Sequence, residues 1–401
     1  MIEFNYLTDL SWLSLLLLVG VLTSILASKI KLPDVLLLLI FGVIVGQFKL
    51  VVFGQSFLTS LGIFALIMVV FASTSRFKPK EVNLISPYAL KLSIIFLFSS
   101  IVFLTIFVFL LFNLNFSLDA LLLSLIFSSI MSGTSPEAIL SLLNTTKAKI
   151  FELIEFESII NTPFTIIFPL LFLTFYLGNV PSAKIVLTSF MQEIVTGVGT
   201  GIVLGLITFK LMKKSYIQTL SPIALIAVAL VTYTLSDFLG GNGVLAVTTL
   251  GLLFGMMEIR EKSQLNNFIA IFTNFLKIVM FVLLGLLINL SFSYIFIIKS
   301  IILFVLYLGV RYFAVHITFM GYNMSFKEKL FMSLNIAKGV PVAVVAFILA
   351  SLLNAELAYI IDLTFLFIFY SIIVNSIAVS FFRYFITVDR LPKKSRKVKV
   401  S

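Results

Sequence analysis

A run of small polar residues interrupts an otherwise apolar stretch at Ser132-Gly133-Thr134-Ser135-Pro136-Glu137. Pro136 has no amide hydrogen and disfavours helical geometry in the residue before it, which frees backbone carbonyls one turn earlier. These carbonyls, with the Thr134 and Ser135 hydroxyls, can coordinate a partly dehydrated alkali cation, and Glu137 adds a negative charge. The alternative interpretation is a proline kink closed by Ser and Thr hydroxyls, with Glu137 reaching a polar cavity.

A second polar group follows in the next apolar stretch, Glu157-Ser158-Ile159-Ile160-Asn161-Thr162. Glu157 and Asn161 are four residues apart, so they share one helix face and can point at one site. A purely structural ion pair is the alternative role for Glu157. Glu152 and Glu155 precede this group, and their position near a helix end predicts solvated charges.

A third polar group, Lys338-Gly339-Val340-Pro341, places a lysine beside two backbone-breaking residues inside an apolar stretch. A charge in mid-membrane is costly unless it is paired. The expected partner of Lys338 is therefore a carboxylate, Glu157 or Glu137.

Other ionisable residues in apolar stretches are scattered, and most lie within about ten residues of a predicted helix end, from which they can reach water. We interpret them as structural: Glu193, Asp237, Lys277, Arg311, His316 and Asp362.

These residues belong to a chain of 401 residues that is 61% hydrophobic and 11% charged, with a mean hydropathy of +1.19. This composition predicts an all-α polytopic membrane protein. The chain has no Cys and one His, which excludes disulfides and metal sites built from Cys and His and leaves oxygen ligands for hard cations. We expect no resident cofactor, and no residue cluster suggests an enzyme.

Spanning the hydrocarbon core takes roughly 20 apolar residues, and charged or Pro/Gly-rich gaps divide the chain into about 13 such segments. The first has neither a basic leader nor a cleavage site, so we expect it to be retained. The predicted spans are residues 11–29, 32–48, 56–75, 84–112, 117–143, 149–177, 184–212, 219–238, 241–257, 264–290, 294–320, 326–353 and 357–385.

The basic residues alternate between the two sides of this arrangement, with 21 Lys and Arg in the loops and tail of one side and 2 in the loops of the other. Cytoplasmic loops collect Lys and Arg, which predicts a plasma-membrane protein with an external N-terminus and a cytoplasmic C-terminus. Residues 1–385 form the predicted transmembrane domain, and residues 386–401 form a basic tail. That tail is interpreted as an anchor near anionic membrane lipid, without nucleic acid as a partner.

The chain also resembles itself at an offset near 209 residues. The stretch from Leu32 to Gly46 parallels the stretch from Gly241 to Gly255, and the break at Thr134 parallels the break at Lys338. Two repeats with opposite membrane topology, each with a broken helix, are predicted, and this arrangement can present one site to either side in turn.

The whole pattern resembles the monovalent cation/proton antiporter superfamily, of the sodium/proton exchanger type. Thr134-Ser135-Pro136 resembles the unwound element of that family, Glu157 to Thr162 resembles its Glu-Ser-x-x-Asn-Asp motif, and Lys338-Gly339 resembles its basic residue before glycine. The resemblance implies a homodimer in which a core bundle moves against a dimerising scaffold. It also implies that Lys338 pairs with Glu157.

The departures from that pattern concern the acids. Thr162 stands where the family carries the aspartate that binds cation and proton, and Ser135 stands where many exchangers carry a second acid. A threonine takes no proton at physiological pH, so the sequence predicts that Glu137 or Glu157 carries it.

The function predicted from these residues is the exchange of a monovalent cation (Na⁺, Li⁺ or K⁺) for H⁺ by alternating access, electroneutral because one carboxylate exchanges. The alternatives are a proton-uncoupled cation pathway and a non-transporting sensor or scaffold derived from an antiporter. The predicted cation and proton ligands are Thr134, Ser135, Glu137, Glu157, Ser158, Asn161 and Thr162.

Overall fold

A computed structural model describes residues 5–30, 33–48, 53–76, 86–112, 117–135, 149–178, 183–214, 220–257, 261–288, 293–322, 324–352 and 355–386. Within these ranges every regular element is helical. Pro136, Glu137 and the basic tail from residue 387 onward lie outside the described residues.

Sixteen α-helices and one π-helical turn make up the described architecture. In chain order they are α1 (Asn5–Ile30), α2 (Asp34–Gln47), α3 (Gln55–Ser75), α4 (Ser86–Ser99), the π turn (Ser100–Leu104), α5 (Thr105–Phe112), α6 (Leu118–Ile130), α7 (Lys149–Leu177), α8 (Ala183–Lys214), α9 (Leu220–Phe238), α10 (Gly243–Met256), α11 (Lys262–Leu287), α12 (Tyr294–Thr318), α13 (Phe326–Leu334), α14 (Val340–Ser351), α15 (Ala355–Ser380) and α16 (Phe382–Phe385).

The predicted membrane spans are confirmed. Within the described ranges, eight helical stretches are long and apolar enough to cross a membrane, and five shorter apolar helices occupy the remaining predicted spans. Only the described part of residues 117–143, which ends at Ser135, can be compared with its predicted span. The chain is thus an all-helical, multi-pass membrane protein.

Two helix pairs related by the sequence repeat pack in the same way. Helix α2 packs against α11, and helix α10, the repeat counterpart of α2, packs against α3. Small residues allow the backbones to approach closely: a Cβ added to Gly285 on α11 would lie 3.0 Å from Gly42 Cα on α2. This reciprocal packing is what two repeats of opposite topology produce.

Two interrupted helices meet in the centre of the protein. Helix α6 ends at Ile130 and the chain continues without helical structure to Ser135, while residues 335–339 separate α13 from α14. The Ser135 amide donates to the Ala337 carbonyl at 2.8 Å, so each break satisfies backbone groups of the other. Helix α7 packs against α6 and against α14, which places its polar residues beside this crossing.

Candidate functional site

Lys338 lies at the crossing, with 1% of its surface exposed. Its Nζ donates three hydrogen bonds of 2.6 Å, to the Met131 carbonyl, the Gly133 carbonyl and the Tyr307 hydroxyl. Three bonds use all the donors of an ammonium group. The positive charge therefore caps the carbonyl end of α6, where the helix dipole is negative.

The predicted ion pair between Lys338 and Glu157 is wrong. The Glu157 carboxylate instead pairs with Arg311 of α12: Arg311 Nη2 donates to Glu157 Oε2 at 2.7 Å, and Nη1 donates to Oε1. Both side chains are fully buried, and the guanidinium carbon lies 4.5 Å from the centre of the Phe96 ring. Arginine matches a carboxylate with two parallel hydrogen bonds, which a lysine cannot do.

The structure also corrects the interpretation of Arg311 as a residue that reaches water from a helix end. Its side chain has no exposed surface. With both Glu157 oxygens bound to one guanidinium, Glu157 is a structural ion-pair partner. The role of exchanging carboxylate would require it to leave Arg311 and so leave a buried charge unpaired.

The neutral polar residues of α7 contact the unwound segment after α6. Ser158 Oγ donates to the Thr134 carbonyl at 2.6 Å, and Asn161 Nδ2 donates to Thr134 Oγ1 at 2.8 Å. All three residues are buried. Asn161 Oδ1 is buried and has no hydrogen-bond donor among the described residues. It is an oxygen that a cation or a water molecule can use.

Thr162 turns its hydroxyl back onto its own helix, where Oγ1 donates to the Ser158 carbonyl at 2.7 Å. The proton of the Thr162 hydroxyl is thereby used, and the oxygen lone pairs remain available to a cation.

The two broken segments approach each other closely at Gly339 and Ser135. A Cβ added to Gly339 would lie 2.6 Å from Ser135 Cβ. A glycine at 339 is what permits this contact.

A cavity of about 60 Å³ lies between α3, α7, α14 and the unwound segment. Its wall includes Thr134, Ser135, Glu155, Ser158, Thr162 and, at the end of α3, Arg76. The sequence predicts that Glu155 is a solvated charge, whereas the structure places it half-buried in the cavity wall. A cavity of this volume has room for an ion together with water molecules.

The predicted ligands separate into three sets. Thr134, Ser135, Ser158, Asn161 and Thr162 come together at the crossing, with hydrogen bonds or a shared cavity wall between them. Glu157 points away to Arg311, and Glu137 lies outside the described residues.

Sequence reasoning missed three residues: Arg311, Tyr307 and Glu155. Arg311 is the one arginine that lies far from both ends of a predicted span, and this position was a signal that it needs a buried acidic partner. Glu155 lies seven residues before Thr162, on the same helix face, and that periodicity was a signal for the cavity wall. Nothing in the sequence pointed to Tyr307.

The described residues contain no group of three or more His, Cys, Asp or Glu that could hold a metal ion. The oxygens at the crossing are hydroxyls, carbonyls and one amide. This donor set suits a weakly held, hard monovalent ion better than a tightly bound divalent metal, which requires several carboxylates.

Known proteins share this sequence pattern over most of the chain. Residues 14–383 match the family described as "Sodium/hydrogen exchanger, transmembrane". A probable Na(+)/H(+) antiporter 2 of Methanocaldococcus jannaschii is 27% identical over 308 residues, which are 70% of this chain and 69% of that protein. The K(+)/H(+) antiporter NhaP2 of Shewanella sp. strain MR-4 is 30% identical over 171 residues, 41% of this chain and 30% of that protein.

The fold is likewise shared. The structure of the sodium proton antiporter MjNhaP1 from Methanocaldococcus jannaschii at pH 8 matches with a TM-score of 0.78 and 22% identity, over 94% of this chain and 99% of that one. Because the family match covers nearly the whole transmembrane region, the chain belongs to the sodium/hydrogen exchanger family.

Proposed function

We propose that this protein exchanges a monovalent cation (Na⁺, Li⁺ or K⁺) for H⁺ across the plasma membrane by alternating access. Membership of the sodium/hydrogen exchanger family and relatives named as Na⁺/H⁺ and K⁺/H⁺ antiporters support this proposal. The observation that carries it is the cavity at the crossing, whose wall contains oxygens of Thr134, Ser135, Ser158 and Thr162.

The cation is held by neutral oxygens and by one carboxylate in this proposal. Ser158, Thr162 and Ser135 supply hydroxyl oxygens, the unwound backbone near Thr134 supplies carbonyls, and Asn161 Oδ1 supplies an oxygen that lacks a donor among the described residues. Hard cations prefer such oxygens. Neutral ligands also release an ion readily, as a transporter requires.

The positive charges of Lys338 and Arg311 hold the crossing together in this mechanism. Lys338 fixes the carbonyl end of α6, and Arg311 neutralises Glu157, so the broken segments keep their shape while the cation enters and leaves. The cavity includes Arg76 at the end of α3, which the distribution of basic residues assigns to the cytoplasm. In this proposal the described conformation faces the cytoplasm and the N-terminus lies outside.

Exchange is one-for-one and electroneutral in this proposal because a single carboxylate alternates between cation and proton. The functional unit is a homodimer in which the core around the crossing moves against a scaffold.

A proton-uncoupled cation pathway is the second candidate function. One observation favours it: Thr162 is neutral and Glu157 is held by Arg311.

Proteoliposomes that contain an internal pH dye test the proposal. We expect a pulse of Na⁺, Li⁺ or K⁺ to move protons in the opposite direction, and Ser158→Ala to raise the cation concentration needed for half-maximal flux. Ser93→Ala is the matched control, because Ser93 is also buried and donates to an α7 carbonyl, that of Glu157, but does not belong to the cavity wall. Cation flux without proton movement would favour the uncoupled pathway.

A further inference from the structure

Among the described residues, the fully buried charged side chains at the crossing supply no net negative charge for a cation. Glu157, Arg311 and Lys338 are fully or almost fully buried, and together they bring one negative and two positive formal charges. Thr162 and Ser135 are neutral. A cation that enters this region meets unfavourable electrostatics unless another carboxylate faces the cavity.

Glu155 is the carboxylic acid that faces the cavity among the described residues. It lies on α7, three residues before Ser158 and seven before Thr162, and at 3.6 residues per turn these three share one helix face. All three belong to the cavity wall. Glu157, two residues further along the helix, points to the opposite side and to Arg311.

We propose that Glu155 is the carboxylate that binds the transported cation and the proton in turn. This inference rests on the proposed exchange function. Helical side chains lean toward the helix N-terminus, so the Glu155 carboxylate lies on the entrance side of Ser158. It attracts the cation into the cavity, where Ser158, Thr162 and the unwound backbone complete the coordination.

The exchange step is a competition at one group. When a proton binds the Glu155 carboxylate, an O–H bond forms, the negative charge disappears and the cation dissociates. When that proton leaves, the charge returns and one cation binds. One proton therefore replaces one cation, and the charge carried by the site is the same in both loaded states.

Among the described residues, Arg76 is the other charged residue in the cavity wall, at the end of α3. The other elements around the cavity present neutral residues among those described: Thr273 from α11, Val340 and Pro341 from α14, and Thr134 and Ser135 from the unwound segment. A positive charge in the same cavity wall disfavours a bound cation.

The test compares wild type with Glu155→Gln, Glu155→Asp and Glu152→Gln in proteoliposomes, with cation-induced proton flux as the readout. We expect Glu155→Gln to lower the flux by about tenfold to hundredfold, since an ionic partner of the cation is lost. We expect Glu155→Asp to keep exchange with a shifted pH profile. Glu152→Gln, which neutralises an acid one turn earlier on α7 outside the cavity wall, should behave as wild type.

A binding measurement separates loss of the site from loss of the fold. Na⁺, Li⁺ or K⁺ should raise the melting temperature of solubilised wild type, because a ligand stabilises the state that binds it, and should not raise that of Glu155→Gln. Wild-type exchange in Glu155→Gln would overturn the inference, as would loss of exchange in Glu137→Gln while Glu155→Gln stays active. In both cases the proposed function would stand. A wild type that moves no protons would overturn both.

Discussion

The guanidinium of Arg311 and the carboxylate of Glu157 face each other across α12 and α7 with two parallel hydrogen bonds, and neither side chain is exposed. Glu157 and Ser158 are adjacent in the chain, yet one bonds to Arg311 and the other to the unwound segment. The ion pair therefore fixes the rotation of α7, and with it the direction in which the cavity-facing residues point.

Removal of one partner of this pair should be more damaging than removal of both. We expect Glu157→Gln or Arg311→Met alone to lower the free energy of unfolding by about 3 to 5 kcal/mol, because a single substitution leaves a buried charge without compensation. The double variant should recover much of that loss. Thermal unfolding of the solubilised wild type, the two single variants and the double variant measures the coupling energy between the two side chains. If the two losses of stability simply add in the double variant, the two side chains act independently.

Lys338 gives a second prediction, because it bonds to carbonyls and not to a carboxylate. We expect Lys338→Met to leave the Met131 and Gly133 carbonyls without a donor, at about 1 to 3 kcal/mol for each buried group. Tyr307→Phe removes one acceptor and leaves the other two, so its effect should be close to 1 kcal/mol. Melting temperatures provide the comparison. Equal losses in the two variants would contradict a capping role for Lys338.

The contact of Gly339 with Ser135 predicts a steric effect. In Gly339→Ala the new methyl group would lie 2.5 Å from Ser135 Oγ and 2.6 Å from Ser135 Cβ, so the two broken segments must separate. Overpacking of this kind costs about 1 to 3 kcal/mol. Gly199→Ala on α8 is the matched control: no atom lies within 4 Å of its added Cβ, and alanine favours the helix.

The effect of each glycine substitution is measured as cation-induced proton flux and as melting temperature. Gly339→Ala should lower both, Gly199→Ala should lower neither, and Ser135→Gly should restore the melting temperature of Gly339→Ala, because the crowded side chain is removed. A fully active Gly339→Ala variant would mean that the separation of the two segments does not matter for transport.

The membrane spans could be predicted from sequence because burial in lipid imposes a length and an apolar composition on each helix. The central break could also be predicted, since a proline close to a glycine disfavours a continuous helix in both segments. Thr134, Ser158 and Asn161 could be grouped because helical spacing places the last two near one face. All of these signals are local, and the structure agrees with them.

The partners of the charged residues could not be obtained in this way. Lys338, Arg311 and Glu157 lie on three different elements, and a one-dimensional pattern does not say which cation meets which acid. Here side-chain geometry decides: a planar guanidinium matches a carboxylate, whereas the compact ammonium of Lys338 fits among the Met131 and Gly133 carbonyls. The same limit applied to Glu155, whose place in the cavity depends on how α7 packs against α3 and α14.

The last prediction concerns Thr162, which lies in the cavity wall one turn beyond Ser158. If exchange requires only that one carboxylate face this cavity, an aspartate at position 162 can replace Glu155. We therefore expect Glu155→Gln/Thr162→Asp to recover the proton flux that Glu155→Gln loses, and to remain electroneutral because it again has one exchanging acid.

Thr162→Asp alone provides the internal comparison, because it has two acids in one cavity. Like charges this close favour proton uptake at one of them, and release of two protons for one bound cation would move net charge. To test this, K⁺ and valinomycin set the membrane potential, and Na⁺ or Li⁺ is the transported cation. The flux of Thr162→Asp should then respond to the membrane potential, whereas the wild-type flux should not. A folded double variant without exchange would mean that the position of the carboxylate along α7 matters, because the cation must be attracted at the entrance before the inner oxygens can bind it.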